Sequence, residues 1–217
     1  MRECPTCKRC FSDHVFSCPN DDTVTVHSIT GETILDGRYQ LEKRLGQGGM
    51  GIVFKGWHIL LKTRHAIKVI LPDLAGNDPM LGKRFRQEAM VAARIRHQNI
   101  VNVTDFGVVN GTPFLVMDYV RGKSLRDVLL AEGLPLARAL EILEPICAGV
   151  AAAHQHGIIH RDLKPLNIMI AYDEPINMAV KVLDFGLAKI KSGELLGSFV
   201  AAQTSGLMGS PHYMAPE

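Results

Sequence analysis

The sequence predicts an α+β protein of two lobes, the first rich in strands and the second helical, preceded by a small cysteine-rich segment. Three observations carry this reading. Four of the five cysteines fall in the first 18 residues. Five β-branched runs then follow between Tyr39 and Val120, interrupted by one amphipathic stretch. Beyond Val120 the apolar residues recur at helical spacing.

Residues 1–24 form the cysteine-rich head. Residues 25–37, "TVHSITGETILDG", are polar and turn-rich and read as a linker. Residues 38–217 form the larger domain, divided into a strand-rich lobe over 38–120 and a helical lobe over 121–217. Its strands are "YQLEKRLG", "GIVFKGWHI", "RHAIKVIL", "IVNVTDFGVV" and "TPFLVMDYV", with an Asn110-Gly111 turn between the last two. Between the third and fourth lies "DPMLGKRFRQEAMVAARIRH", in which Phe85, Ala89, Ala92, Ala93 and Ile95 form one helical face. "SLRDVLLAEG" predicts a short helix with Ser124 as N-cap and Gly133 as its stop. "PLARALEILEPICAGVAAAHQHG" predicts a long helix, apolar enough to be expected buried, with Cys147 as buried filler. From about Ile158 the pattern is loop, short strand, loop.

Composition narrows the function. Of 217 residues, 47% are hydrophobic and 21% charged, and the formal net charge is +2. That balance offers no field for nucleic acid or an anionic membrane, and 6% aromatic residues argue against a base-stacking surface. No apolar run reaches membrane-spanning length, and "MRECPTCKRCFSD" has no signal-like apolar core. The expected compartment is the cytoplasm, where clustered cysteines indicate metal rather than disulfides.

"LGQGGMGIVFKG" places Gly46, Gly48 and Gly51 in G-x-G-x-x-G spacing. A dinucleotide-binding turn would open into a helix and meet an acidic residue about 20 residues on. Here the glycines lead into a β-branched run, and Lys68 stands at that distance. A glycine hairpin laid over phosphates fits better, because a Cβ would hold the backbone off the ligand. Further on come Lys68 in "HAIKVI", Glu88 in the amphipathic helix, "HRDLKPLN" and "LDFGLA", and the sequence reaches Ala215-Pro216-Glu217. Singly each has an ordinary explanation: a solvent-facing strand lysine, a solvated helix face.

As an ordered set over about residues 38–217, these motifs resemble the protein kinase family. Lys164, two residues after Asp162, resembles the serine/threonine type, and "FRQEA" with "HRDLKPLNIMI" resembles the bacterial, eukaryotic-like members. The resemblance implies a bilobal protein-kinase fold with a five-stranded N-lobe, one N-lobe helix and a partial helical C-lobe. It implies ATP and Mg²⁺ as cofactors, and protein hydroxyls as substrates. By resemblance, Asp162 orients the substrate hydroxyl and accepts its proton, and Lys164 steadies the transferring phosphate. Lys68 pairs with the α- and β-phosphates and is held by Glu88, while Asn167 and Asp184 hold Mg²⁺. The glycine segment Leu45, Gly46, Gln47, Gly48, Gly49 and Gly51 covers the nucleotide. Val53 and Ala66 cover the adenine, Met117 falls at the gatekeeper position, and the backbone of Asp118 and Val120 bonds the base.

Arg161 beside Asp162 is the family's marker of control by phosphorylation between residues 184 and 217. The hydroxyls there are Ser192, Ser198, Thr204, Ser205 and Ser210. "AAQTSGLMGS" resembles the phosphorylated stretch, pointing to Thr204 with Ser205 next, through trans-autophosphorylation in a homodimer. Ser210 stands where the family usually has Thr, near the substrate. The family continues beyond Ala-Pro-Glu, so the chain is expected to be a fragment; a membrane helix beyond residue 217 is compatible with it. A partner-binding pseudokinase is the competing reading, disfavoured because no catalytic position is substituted.

In the head, Cys4-x-x-Cys7 is one zinc knuckle and "FSCPNDD" resembles a second. A structural Zn²⁺ would take Cys4, Cys7 and Cys18, with Cys10, His14 or Asp21 as the fourth ligand. Without it so small a segment buries too little to fold.

Overall fold

Alternation along the strands decides which face of the main sheet becomes core. A computed structural model of the chain describes residues 1–48, 51–71, 81–173, 177–185 and 210–214. It divides into two compact units, Met1–Lys83 with Val103–Tyr119, and Arg84–Asn102 with Val120–Glu217.

The first unit opens with three two-residue strands: β1 (Arg2–Glu3), β2 (Cys10–Phe11) and β3 (Val26–His27), paired in the order β2-β1-β3. Next come β4 (Ile34–Leu35), β5 (Tyr39–Gly48), β6 (Gly51–His58), β7 (Arg64–Val69), β8 (Val103–Val109) and β9 (Thr112–Asp118). They form an antiparallel six-stranded sheet of order β4-β5-β6-β7-β9-β8. Five of these are the strands expected from the sequence. The sixth, β4, arises in the stretch 25–37, which also contributes β3. Asn110 and Gly111 have φ of 51° and 77°, the paired left-handed geometry that suits a two-residue hairpin.

Ile52, Phe54, Ile67, Val69, Phe114 and Val116 point to one face and are buried. Met1, Ile29 and Leu35, from outside the five expected strands, join that same cluster, and Cys10 packs against it. The head is thus continuous with the core of this unit. Its opening residues cover apolar sheet surface, which the period-2 pattern leaves open on one face.

The second unit is built on α1 (Leu81–Ala92), which begins in the first, then β10 (Gly122–Ser124), α2 (Leu125–Glu132), α3 (Leu136–Gln155), β11 (Ile168–Asp173) and β12 (Asn177–Val182). Strands β10, β11 and β12 form an antiparallel sheet in that order. The long "AYDEPINMA" stretch extends the β11–β12 pairing to Asp173↔Asn177. Ser124 closes a full capping box: its Oγ accepts from Asp127 N at 3.1 Å, and its backbone N donates to the Asp127 carboxylate at 3.3 Å. Gly133, at φ 67°, ends α2. Ser124→Ala is expected to remove about 1 kcal/mol of stability, read as a lowered denaturation midpoint.

The long helix departs from expectation. Only Ile142, Ile146, Gly149 and Ala153 are buried on α3. Leu136, Leu140 and Leu143 are more than half exposed, and Cys147 is exposed, not buried filler. The helix is apolar on two sides, but spacings of four, three and four put a single stripe against β12 and its neighbours. No described helix is long and apolar enough to cross a membrane.

Candidate active site

The face of the main sheet opposite the core carries the first group of candidate residues. Val53 pairs with Lys68, and Ala66 with Met117, across adjacent strands. Period 2 therefore sets Val53, Ala66, Lys68 and Met117 side by side on that face. Lys68, which a strand of this kind would ordinarily send to solvent, is only 6% exposed. Burying an ammonium demands compensating partners, so this position is built for a charge. Asp118 follows at the end of β9, and Val120 begins the second unit's later segment.

Strands β5 and β6 converge on the glycine segment, where Gly48 pairs with Gly51. A Cβ on Gly51 would lie 2.1 Å from the Val69 carbonyl oxygen, and its φ is 151°, so only glycine fits. Among the described residues, a Cβ on Gly46 or Gly48 would meet nothing within 4 Å. Packing among the described residues does not account for glycine at those two positions. Leu45 is exposed, and Gln47 accepts a hydrogen bond from Arg44 Nη1 at 2.9 Å. Gly49 lies outside the described residues. Glu88 falls on α1, and its side chain lies outside the described residues.

The second group sits on the loop between α3 and β11. His160 is buried, accepts from Asp162 N at 3.3 Å through Nδ1 and donates from Nε2 to Leu183 O at 2.8 Å. Burial holds its pKa below the ordinary histidine value, so it is neutral and ties the loop to the strand end. The Phe185 ring packs edge-on against it at 4.8 Å. Arg161 and Asp184 have φ of 63° and 57°, left-handed conformations of the kind that cluster where a site fixes its side chains.

Asp162 is the centre of this group. Lys164 Nζ donates to its Oδ2 at 2.7 Å, and Ser210 Oγ donates to its Oδ1 at 3.0 Å. Lys164 Nζ also donates to Ser210 Oγ at 2.9 Å, closing a triangle of carboxylate, ammonium and hydroxyl. Burial pushes the Asp162 pKa up, but the bonds from Lys164 and Ser210 prevail and hold it below the usual carboxylate value. Asn167 Nδ2 donates to Asp162 O at 2.8 Å, and Leu183 N donates to Asn167 O at 2.8 Å. Asp162, Lys164, Asn167 and Ser210 are therefore one connected group. The resemblance sets Ser210 near the substrate without naming its partners; those neighbours in space are 46 and 48 residues away in the chain. Thr204, Ser205, Ser192 and Ser198 lie outside the described residues.

The head contains a separate cluster. Ligand atoms of Cys4, Cys7, Cys18 and Asp21 all lie within 4.8 Å of one another. Cys7 and Cys18 sulfurs are 3.6 Å apart, close to the about 3.8 Å that two thiolates span on tetrahedral zinc. The backbone N–H groups of Thr6 and Cys7 each approach Cys4 Sγ at 3.3 Å, as suits a thiolate. Cys10 stands apart: it lies on β2, paired with Glu3, against the sheet core. Burial pushes its thiol up to about 12, which suits a neutral packing group and not a ligand. His14 is engaged with Ser12 at 3.3 Å. Of the three alternatives for the fourth position, Asp21 is the one that joins the cluster.

Comparison with known proteins bears on residues 39–217, which match the model of the protein kinase domain. The serine/threonine-protein kinase pkn2 of Myxococcus xanthus is 39% identical over 184 residues, 85% of this chain and 22% of that protein. PknB of Mycolicibacterium smegmatis is 44% identical, over 84% of this chain and 29% of its own length. The chain therefore spans under a third of the curated relatives it matches. The crystal structure of the Mycobacterium tuberculosis PknI kinase domain superposes with a TM-score of 0.63 at 27% identity, over 76% of this chain and 69% of that one. Sequence and fold agree, and the chain belongs to the protein kinase family, among the bacterial serine/threonine kinases.

Proposed function

We propose that the protein transfers the γ-phosphate of Mg·ATP to serine and threonine hydroxyls of proteins. The observation that carries this is the Asp162–Lys164–Ser210 triangle. A carboxylate held ionised, an ammonium and an alcohol already meet there in hydrogen-bonding geometry. Ser210 marks where a substrate hydroxyl is received. Asp162 orients that hydroxyl and takes its proton as the oxygen attacks the γ-phosphorus and the bond to the ADP oxygen breaks. Lys164 offsets charge on the transferring group.

Lys68 serves the α- and β-phosphates with Glu88 as its support. Leu45, Gly46, Gln47, Gly48, Gly49 and Gly51 form the phosphate cover; that a Cβ on Gly46 or Gly48 would meet no described atom within 4 Å supports this. Val53, Ala66 and Met117 line the adenine, and the Asp118 and Val120 backbone bonds it. Asn167 and Asp184 offer amide and carboxylate oxygens, the donors a hard cation takes. The bond from Asn167 Nδ2 to Asp162 O fixes the amide so that its oxygen is the atom left to a ligand. Mg²⁺ bound there supplies charge neutralisation to the phosphates.

Cys4, Cys7, Cys18 and Asp21 hold one structural Zn²⁺, supported by the mutual approach of their ligand atoms. Five free cysteines and use of ATP favour the cytoplasm. Thr204, with Ser205 as the neighbouring alternative, is the site of trans-autophosphorylation between two copies, with Arg161 as the phosphate's partner.

The test is incubation of the full-length protein with γ-labelled ATP, Mg²⁺ and a protein acceptor, followed by phosphoamino-acid analysis and peptide mass spectrometry. Label on serine and threonine, with Thr204 modified in the active protein, is expected. Absence of Mg²⁺-dependent incorporation overturns the kinase reading, and an unmodified Thr204 overturns the regulatory one.

A further inference from the structure

We infer that the metal knuckle of the head is a clamp on the glycine hairpin, so that metal occupancy controls nucleotide affinity. The inference rests on the kinase and zinc readings above and adds a coupling between them.

The residues of the knuckle and the strand entering the glycine segment share a backbone ladder. The turn after Cys7 places Lys8 at φ 63° and is closed by Lys8 N to Cys4 O at 2.9 Å and Cys4 N to Arg9 O at 3.0 Å. The outward carbonyl of Lys8 accepts from Arg44 N at 2.8 Å, and Arg9 bridges Lys43 in antiparallel register. The head is thus an added edge on β5, two residues before Gly46.

Side chains repeat the connection. Glu3, next to Cys4 and 4% exposed at its side chain, pairs with Arg44 Nη2 at 2.9 Å. The other arm of the same guanidinium bonds Gln47 Oε1, inside the glycine segment, at 2.9 Å. One arginine therefore links a buried acid in the head to the segment proposed to cover the phosphates.

The β5–β6 ladder is interrupted on both sides of this contact. The register of β5 against β6 slips between Leu41 and Lys43 and again between Arg44 and Gly46. Lys43 and Arg44 keep their partners Lys55 and Phe54 between the two slips, so a hold on the strand's other edge adds to the sheet pairing there. The head supplies that hold at Lys43 and Arg44. Packing of Met1 and Cys10 on the sheet core anchors β1 and β2, while four ligands closing on a metal would fix the turn between them, which two backbone bonds otherwise close. Loss of metal then releases the Lys8–Arg44 bond and the Glu3–Arg44–Gln47 chain, and the glycine segment loses its preorganised position.

The experiment compares the full-length protein, Cys18→Ser and Arg44→Gln by metal content, binding of a fluorescent ATP analogue and steady-state kinetics. The expected results are about one equivalent of zinc in wild type and Arg44→Gln, and much less in Cys18→Ser. Both variants weaken nucleotide binding about fivefold or more, as a raised ATP KM at near-constant kcat. Arg44→Gln keeps the metal, so it reports on the link even if Cys18→Ser disturbs the head's fold. Zinc present in wild type with nucleotide affinity unchanged in both variants overturns the coupling and leaves the metal site standing. Zinc absent from wild type removes the metal reading and the clamp with it. A zinc-loaded protein that binds no nucleotide overturns the kinase reading instead.

Discussion

Asp162→Asn is expected to lower kcat about 10²–10⁴-fold with little change in the ATP KM. Asp162 accepts from Lys164 at one oxygen and from Ser210 at the other. Asparagine offers one acceptor and one NH₂ group, so one of those donors would then face a donor. It also carries no charge to hold the lysine and no basicity to take a proton. The nucleotide's own contacts are assigned to other residues, which is why the loss falls on kcat. The carboxylate is held below its ordinary pKa by these two bonds. It therefore stays ionised through neutral pH, and its stabilising contribution, present above the unfolded value of about 3.9, is lost only as pH falls through the lower folded value. An acid limb of kcat near pH 6 would have to belong to another group. Kinetics of Asp162→Asn across pH, with a melting curve to show that the variant folds, decide the matter. A variant within tenfold of wild-type kcat would remove Asp162 from the chemistry.

The sequence was most informative where chemistry or capping is local. The glycine spacing, the strand around Lys68 and the Ser124 cap are each readable within a few residues. For the cap, the bonds between Ser124 and Asp127 bear out the local pattern, whereas the burial of Lys68 goes against what alternation alone implies. What depended on long-range contact was not readable. Cys10 completes a second C-x-x-C spacing with Cys7, yet strand pairing with Glu3 turns it toward the core. Asp21 becomes the neighbour of Cys4 because the chain folds back, with Cys18 N donating to Thr23 O at 2.8 Å. Met1 enters the sheet core from a segment whose composition resembles a free-standing head. On α3, apolarity alone could not tell which of two faces meets β12. The resemblance set Ser210 near the substrate, but its hydrogen bond to Asp162, 48 residues away, was not readable.

Phe114→Ala is expected to cost about 3–5 kcal/mol. The ring is 1% exposed, stands edge-on to Tyr39 at 6.1 Å, and shares a cluster with Met1, Phe54 and Ile67. Its tip also fills the space above Gly107, where a Cβ would lie 2.3 Å from Cζ. Gly107→Ala alone must therefore push the ring aside, a cost of about 1–3 kcal/mol. Once the ring is gone the extra methyl meets no obstacle and occupies part of the cavity. The double variant should be more stable than the sum of the single losses predicts, by about 0.5–3 kcal/mol. Denaturant unfolding of the four proteins measures that difference directly, and strict additivity would show that the two residues do not compete for one space. The same core carries the residues that alternate with Val53, Lys68 and Met117 along β6, β7 and β9. Loosening it should tilt the face proposed to hold the nucleotide as well, so on that reading Phe114→Ala should weaken ATP binding even at temperatures where the protein remains folded. A core variant that lost stability but bound ATP as tightly as wild type would show that the two faces of the sheet are mechanically independent.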